Sequence, residues 1–269
     1  MAVFEGAAYD VTGPSGRVVV AEALAAHAAG VLAARCVSAN ALDIDTVRLV
    51  APVDDDVRIL CAGFNYRSHA TEAEREVPKN PTFFTRYASS IVGSGEQIVL
   101  PSASSWLDWE GEVAIAIGRG GRAISTADAM QHVGGYVCFG DHSVRDFQLH
   151  GTQATAGKNF DRSGAVGPWI VTCDEAPPVS EMEVETFVGD ERMQHGRLSD
   201  LIFDVSALIA YASTFMALRP GDLIATGTPS GIGGRMDPPR WLRKGEIVTV
   251  RATGLGELVN TVEAEGDAS

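Results

Sequence analysis

Two acids two residues apart stand on a largely apolar strand. Asp108-Trp109-Glu110-Gly111-Glu112 runs into Val113-Ala114-Ile115-Ala116-Ile117-Gly118, an apolar, β-branched stretch closed by a glycine. Side chains on a strand alternate between faces, so Glu110 and Glu112 share one. Two neighbouring carboxylates on an apolar strand repel each other and are costly to desolvate. A hard divalent cation such as Mg²⁺, Mn²⁺ or Ca²⁺ removes both penalties and prefers oxygen ligands. The alternative is a wet edge strand with two solvated acids. A second group is His69 and Glu72, three residues apart on a short helix from Ser68. A carboxylate beside an imidazole fixes its tautomer and raises its basicity, which suits a general base. A surface pair capping a turn is the competing reading.

Further along, Asp141, His142, Ser143, Arg145 and Asp146 crowd the end of the apolar strand Tyr136-Val137-Cys138-Phe139-Gly140. Asp141 also has a plain structural reading, as an N-cap. Lys158 sits in Gly157-Lys158-Asn159-Phe160-Asp161, a loop where it could be exposed and inert. Gly227-Thr228-Pro229-Ser230-Gly231-Ile232-Gly233-Gly234 follows the strand Leu223-Ile224-Ala225-Thr226. It is neither GxGxxG nor a P-loop. Its backbone N–H groups suit a small anion such as a carboxylate, with Thr228 adding a hydroxyl, or else it is a tight crossing.

The elements that position these groups are mostly strands. Residues 58–63 and 81–86 read as strands, and the polar run 73–81 between them as a mobile lid. Ser125 is expected to cap a short helix stopped by Gly134-Gly135. After Pro177-Pro178 comes strand, turn at Gly189-Asp190, strand, with Met193-Gln194 on the return. Asp204 caps a helix over 205–216, and strands over 246–251 and 257–263 finish the chain. Residues 1–52 read as a small N-terminal α/β region: a turn at 12–16, Val18-Val19-Val20, an alanine-rich helix to about Arg35, and a strand over 47–50. Residues 53–269 read as the catalytic domain.

The chain has 269 residues and a formal charge of -14. That balance argues against nucleic-acid or anionic-membrane partners, which need a basic footprint. Cys36, Cys61, Cys138 and Cys173 stand far apart, with no CxxC and no Cys/His cluster in sequence, so neither a zinc site nor a disulfide framework is indicated. Reduced thiols suit a cytoplasmic protein. Met1-Ala2-Val3-Phe4-Glu5-Gly6 lacks the start of a signal peptide. The apolar stretch 18–34 is broken by Glu22 and His27 and reads as a helix of a soluble protein, not a membrane span.

From about Arg58 to Glu263 the chain resembles the fumarylacetoacetate hydrolase family. The resemblance rests on ordered blocks: Gly63-Phe64-Asn65-Tyr66 with His69 and Glu72; Phe83-Phe84 with Ser89-Ser90-Ile91-Val92-Gly93; Asp108-Trp109-Glu110-Gly111-Glu112; Gly140-Asp141-His142-Ser143-Val144-Arg145-Asp146; Gly157-Lys158-Asn159-Phe160-Asp161; and Gly221 through Gly231. It implies an α+β, mainly β fold, a mixed β-sandwich roll, in a homodimer. It also implies Mg²⁺ or Mn²⁺ (Ca²⁺ in crystals) on Glu110, Glu112 and Asp141, leaving Asp108 at most a supporting partner. Lys158 and Arg145 would line the site. Thr228, Gln194 and Tyr66 would join Arg145 in binding substrate, and His69 with Glu72 would activate water. The chain departs from the pattern in three places. Many members carry Asn where Gly140 stands and lysine where Arg86 stands, and His142 is not the residue expected after the metal aspartate.

These residues suit a 2-oxo acid substrate. The expected reaction is hydrolytic carbon–carbon cleavage of an acylpyruvate-type 1,3-diketo acid, such as fumarylpyruvate, through an enolate held by the metal and Lys158. The alternatives are decarboxylation of oxaloacetate or a related β-keto acid, and isomerisation or hydration of a 2-oxo-enoic acid in aromatic catabolism. A third class, a ligand-binding protein without catalysis, would lack the base or the lysine, and both are present. Arg67, Arg86 and Tyr87 are candidates for the acyl end of the substrate.

Overall fold

The structure is a computed structural model describing residues 2–4, 7–9, 20–43, 48–72 and 76–268. Two sheets form its body. The larger has seven strands, in the order Thr82–Arg86, Ile59–Gly63, Leu223–Ala225, Gly111–Ile117, Val133–Gly140, Gly164–Thr172 and Ile91–Val92. The smaller has five: Glu191–Arg197, Glu183–Val188, Ile247–Ala252, Gly256–Ala264 and Gln97–Leu100. Parallel and antiparallel pairs occur in both. This is the mixed sandwich that the family resemblance implies.

The core lies between the sheets because strand 111–117 is apolar on both faces. Val113, Ile115 and Ile117 face Val184, Val248, Val250 and Leu258 of the smaller sheet in one buried cluster. Ala114 and Ala116 pack with Ile59, Cys61, Val137, Phe139 and Val166 on the opposite face, under Leu24 of the helix Val20–Ala28. Gly111 is required by this packing. A Cβ there would lie 2.0 Å from Thr186 Oγ1 of the facing sheet.

The N-terminal region contributes a three-stranded sheet, Ala2–Phe4, Ala7–Tyr9 and Ala41–Leu42, and two helices, Val20–Ala28 and Leu32–Ser38, bent by 115°. The single helix expected to about Arg35 is thus broken at Ala29-Gly30. Among the described residues no single helix is long and apolar enough to cross a membrane. The expected turn at 12–16, Val18-Val19 and Val47 lie outside the described residues, and residues 48–50 are irregular rather than strand.

Two further expectations are corrected. Ser125 and Asp128 form a turn, with the Ser125 hydroxyl donating to Asp128 at 2.7 Å, ahead of a 3₁₀ turn at Ala129–His132. Gly134 and Gly135 do not stop a helix: they lie inside strand Val133–Gly140, where the sheet demand outweighs their breaker character. The strand expected over 108–118 is interrupted. Leu107–Asp108 pairs with Ser143–Val144, and the long strand starts at Gly111. The helix at Val205–Phe215 forms as expected, with Asp204 accepting from the Ala207 amide at 2.8 Å.

Candidate active site

The antiparallel register brings the three acids together. Glu112 sits opposite Phe139 and Gly111 opposite Gly140. One step further the Asp141 amide donates to the Glu110 carbonyl at 2.8 Å, so Asp141 ends its strand beside the Glu-Gly-Glu segment. Asp141 caps no helix. Oxygens of Glu110, Glu112 and Asp141 lie within 4.8 Å of one another, and all three residues are buried.

Lys158 ends a short helix, Thr155–Lys158, and is buried, not exposed as a loop lysine would be. Its ammonium donates to Glu110 Oε2 at 2.5 Å, Asp141 Oδ2 at 2.7 Å and the Asp141 carbonyl at 2.8 Å. Burial opposes that charge, yet Asp141 and Glu110 hold its pKa above the ordinary lysine range. Arg145 Nη1 reaches Glu110 Oε1 at 2.6 Å. Burial alone would raise the Glu110 carboxyl, but Lys158 and Arg145 bring it down to about 2. Glu112 differs. Its Oε2 accepts from the Gly227 amide at 2.8 Å, and no ion pair to it is found among the described residues. Burial, then Asp141 and Glu110, push its carboxyl well above the usual range. Two acids balanced by cations and a third left against its neighbours make a hard, oxygen-only donor set that fits Mg²⁺ or Mn²⁺.

His69 and Glu72 lie on the helix Arg67–Glu72. His69 Nδ1 is 3.0 Å from Glu72 Oε2, which leaves Nε2 as the basic nitrogen. Glu72 Oε1 accepts from the Gly231 amide at 2.8 Å, so the pair is docked on the glycine-rich loop. Phe64, at φ 53°, stacks its ring on His69 with centroids 5.5 Å apart. The same glycine-rich loop reaches the acids, because its Gly227 amide donates to Glu112 at 2.8 Å, so the base pair and the acids border one loop. Residues 73–75 of the expected lid lie outside the described residues.

The four residues expected to bind substrate fall into two kinds. Tyr66 Oη and Arg145 Nη2 are buried with no hydrogen-bond partner among the described residues. Such orphaned donors are costly and suit a ligand oxygen. Gln194 and Thr228 are instead engaged within the protein. Gln194 Nε2 donates to Thr228 Oγ1 and to the Pro229 carbonyl, both at 2.9 Å, and its Oε1 accepts from the Gly111 amide at 2.9 Å. The Thr228 hydroxyl donates to the Gly111 carbonyl at 2.9 Å. These two side chains tie the glycine loop to the Glu-Gly-Glu segment.

Asp108 carries more than its sequence suggested. Its Oδ1 accepts from the Gly233 amide at 2.8 Å, and its Oδ2 from the Gly234 amide at 3.0 Å and Arg145 Nε at 2.7 Å. One carboxylate therefore joins the glycine loop, which holds Glu72, to the arginine that holds Glu110. Asn65 does similar work, donating to the Thr226 and Phe203 carbonyls at 2.8 and 2.9 Å. Trp109 Nε1 donates to the Gly231 carbonyl at 2.9 Å. Only Asp108 could have been suspected from sequence, through its facing parity with Glu110.

The three departures from the family pattern prove to be one packing unit. Arg86 is buried and donates to Asp141 Oδ1 at 2.8 Å, the His142 carbonyl at 2.9 Å and Ser163 Oγ at 2.8 Å. It is therefore spent on Asp141 and does not face an acyl tail. The His142 ring lies over Gly140, where a Cβ would fall 2.5 Å from its Nε2. Burial and then Arg86 push the His142 pKa down to about 3, so it stays neutral and its Nδ1 accepts from the Glu110 amide at 3.3 Å.

Comparison with known proteins agrees with this arrangement. Residues 58–263 match the family described as Fumarylacetoacetate (FAA) hydrolase C-terminal. The chain is 39% identical over 218 residues to the human mitochondrial oxaloacetate tautomerase FAHD2A, covering 80% of this chain and 69% of the relative. It resembles a 2-hydroxyhepta-2,4-diene-1,7-dioate isomerase from Mycobacterium marinum, at 36% identity and a TM-score of 0.74, covering 84% of this chain and 82% of that one. It also resembles the maleylpyruvate hydrolase of Sphingobium sp. SYK-6, solved with manganese(II) and pyruvate, at 27% identity and a TM-score of 0.80, covering 98% and 95%. The chain belongs to the fumarylacetoacetate hydrolase family, whose members are enzymes acting on oxo acids.

Proposed function

We propose that the protein is a Mg²⁺- or Mn²⁺-dependent hydrolase that cleaves a carbon–carbon bond in an acylpyruvate-type 1,3-diketo acid such as fumarylpyruvate. The observation that carries this reading is the His69–Glu72 pair docked on the loop that also holds Glu112 of the three buried acids, because hydrolysis needs a base for water and decarboxylation does not. Glu110, Glu112 and Asp141 would hold the ion, which supplies Lewis-acid polarisation of the 2-oxo group. Arg145 Nη2 and Tyr66 Oη offer unspent donors to the substrate's oxygens. His69 Nε2 takes a proton from water as the hydroxide oxygen bonds to the distal carbonyl carbon. The bond from that carbon to the methylene breaks. Its electron pair passes into a pyruvate enolate, toward which Lys158 contributes its positive charge while its three N–H donors stay on Glu110 and Asp141. Protonation of the methylene carbon then gives pyruvate and a carboxylic acid.

A second reading is supported by the 39% identity to an oxaloacetate tautomerase. Tautomerisation or decarboxylation of oxaloacetate also passes through an enolate but uses no water, and an isomerase of a 2-oxo-enoic acid would share the site. The discriminating experiment follows acylpyruvate and oxaloacetate by absorbance in H₂¹⁸O with Mg²⁺ or Mn²⁺. The hydrolase reading predicts ¹⁸O in the product acid and a loss of about a hundredfold or more in His69→Ala. Oxaloacetate turnover unchanged by His69→Ala, with no acylpyruvate hydrolysis, would favour the second reading. We place the enzyme in the cytoplasm as a homodimer, which cell fractionation and sedimentation test; a 28.4 kDa species in sedimentation would contradict the dimer.

A further inference from the structure

His27 stands in the last turn of the helix Val20–Ala28. One turn earlier Leu24 packs where strands 111–117 and 133–140 run out at Gly118 and Gly134; its Cδ2 would lie 3.1 Å from a Cβ on Gly134. The same Gly134 anchors a second element. Strand Gly164–Thr172 ends beside it, and the Cys173 amide donates to the Gly134 carbonyl at 3.2 Å. The Glu175 and Ala176 amides return to the Thr172 carbonyl at 3.0 and 2.9 Å, closing a turn that fixes Cys173 and Asp174. The outcome is a nitrogen, a sulfur and an oxygen donor, one each from His27, Cys173 and Asp174, within 4.8 Å of one another. His27 Nε2 is 3.2 Å from Asp174 Oδ1.

We propose that His27, Cys173 and Asp174 form a second metal site, for a borderline-soft divalent transition ion of the Zn²⁺ class. The donor set differs from the catalytic one in kind. Three buried carboxylates select hard ions, whereas imidazole with thiolate favours zinc and its neighbours. The donors are brought together by contacts made elsewhere, through Leu24 and the Cys173 amide, so their meeting does not depend on mutual attraction. Three protein ligands near the surface leave a fourth position for water or an outside ligand. A bound ion would clamp the N-terminal helix to the sheet, bridging residues far apart in sequence. The competing account is a His27–Asp174 ion pair with a bystander thiol.

Cobalt(II) titration of the reduced, full-length protein separates these accounts. Mg²⁺ in excess keeps the carboxylate site occupied. Cys36, Cys61 and Cys138 are buried, so a thiolate–cobalt charge-transfer band reports Cys173. The band should saturate with added Co²⁺, disappear when Zn²⁺ is added, and be absent in Cys173→Ser. His27→Gln should weaken binding about tenfold or more. Zn²⁺ should raise the melting temperature of the wild type and not of either variant, while oxo-acid turnover stays unchanged in both. A Co²⁺ spectrum without a thiolate band, or a band equally strong in His27→Gln, would overturn the proposal. If Cys173→Ser folds poorly, His27→Gln alone still decides.

Discussion

The acid cluster and the His69–Glu72 pair border one glycine-rich loop but are held in opposite ways. Glu110, Glu112 and Asp141 are placed by sheet register and locked by buried cations. The base pair sits on a six-residue helix, with the Glu72 side chain 21% exposed, a loop amide on Glu72 and the Phe64 ring on His69. The sheet supplies rigid placement of charge. The loop and helix supply a group that has to approach a substrate. Asp108 is the joint between them, since its oxygens take both the loop amides and Arg145.

Substitutions that separate the two regions should show this division. The largest effect is expected on the sheet side. Glu110→Gln leaves Lys158 and Arg145 short of a buried partner and should destabilise the metal-free protein by about 3 kcal/mol or more. Glu112→Gln removes an acid that has no cationic partner among the described residues, and its effect should stay within about 1 kcal/mol. Denaturant melts in EDTA measure both. Equal losses would mean that the cations do not balance the cluster as described.

On the base side, His69→Ala should lower hydrolysis by about a hundredfold or more. Its Mn²⁺ affinity and melting temperature should remain close to wild type, because no metal-side contact depends on it. At the joint, Asp108→Asn puts an amide where three donors converge. It should lower kcat about tenfold to a hundredfold while Mn²⁺ affinity falls less, since Arg145 keeps Glu110. Loss of metal affinity in proportion to kcat would place Asp108 on the metal side alone.

Much of this site was legible in sequence because its chemistry is local. Glu110 and Glu112 are two residues apart, and His69 and Glu72 one helical turn apart. Asp141 was readable as a strand-end acid, but its approach to Glu110 depends on a register set by long-range pairing. Lys158 looked like an ordinary loop lysine, and only the tertiary fold buries it. Gln194 and Thr228 are the polar types that bind carboxylates, yet a cross-sheet hydrogen bond joins them to each other. Arg86, His142 and Gly140 read as separate departures because the hydrogen bond that joins Arg86 to His142 spans 56 residues. The N-terminal strand expected over 47–50 rested on β-branched residues, and residues 48–50 pair with no strand among the described residues. The Gly134-Gly135 pair reads as a stop only until sheet pairing on both sides claims it.

The proposed activity rests on Glu110, Glu112 and Asp141 holding a divalent ion. Mn²⁺ titration of the metal-free protein, followed by electron paramagnetic resonance, tests it most directly when wild type and Asp141→Asn are compared. Binding should be stoichiometric in the wild type and weakened about a hundredfold or more in the variant, with oxo-acid turnover lost in step and restored to the wild type alone by Mn²⁺. Equal Mn²⁺ affinity in the two proteins, or full turnover after complete chelation, would contradict it.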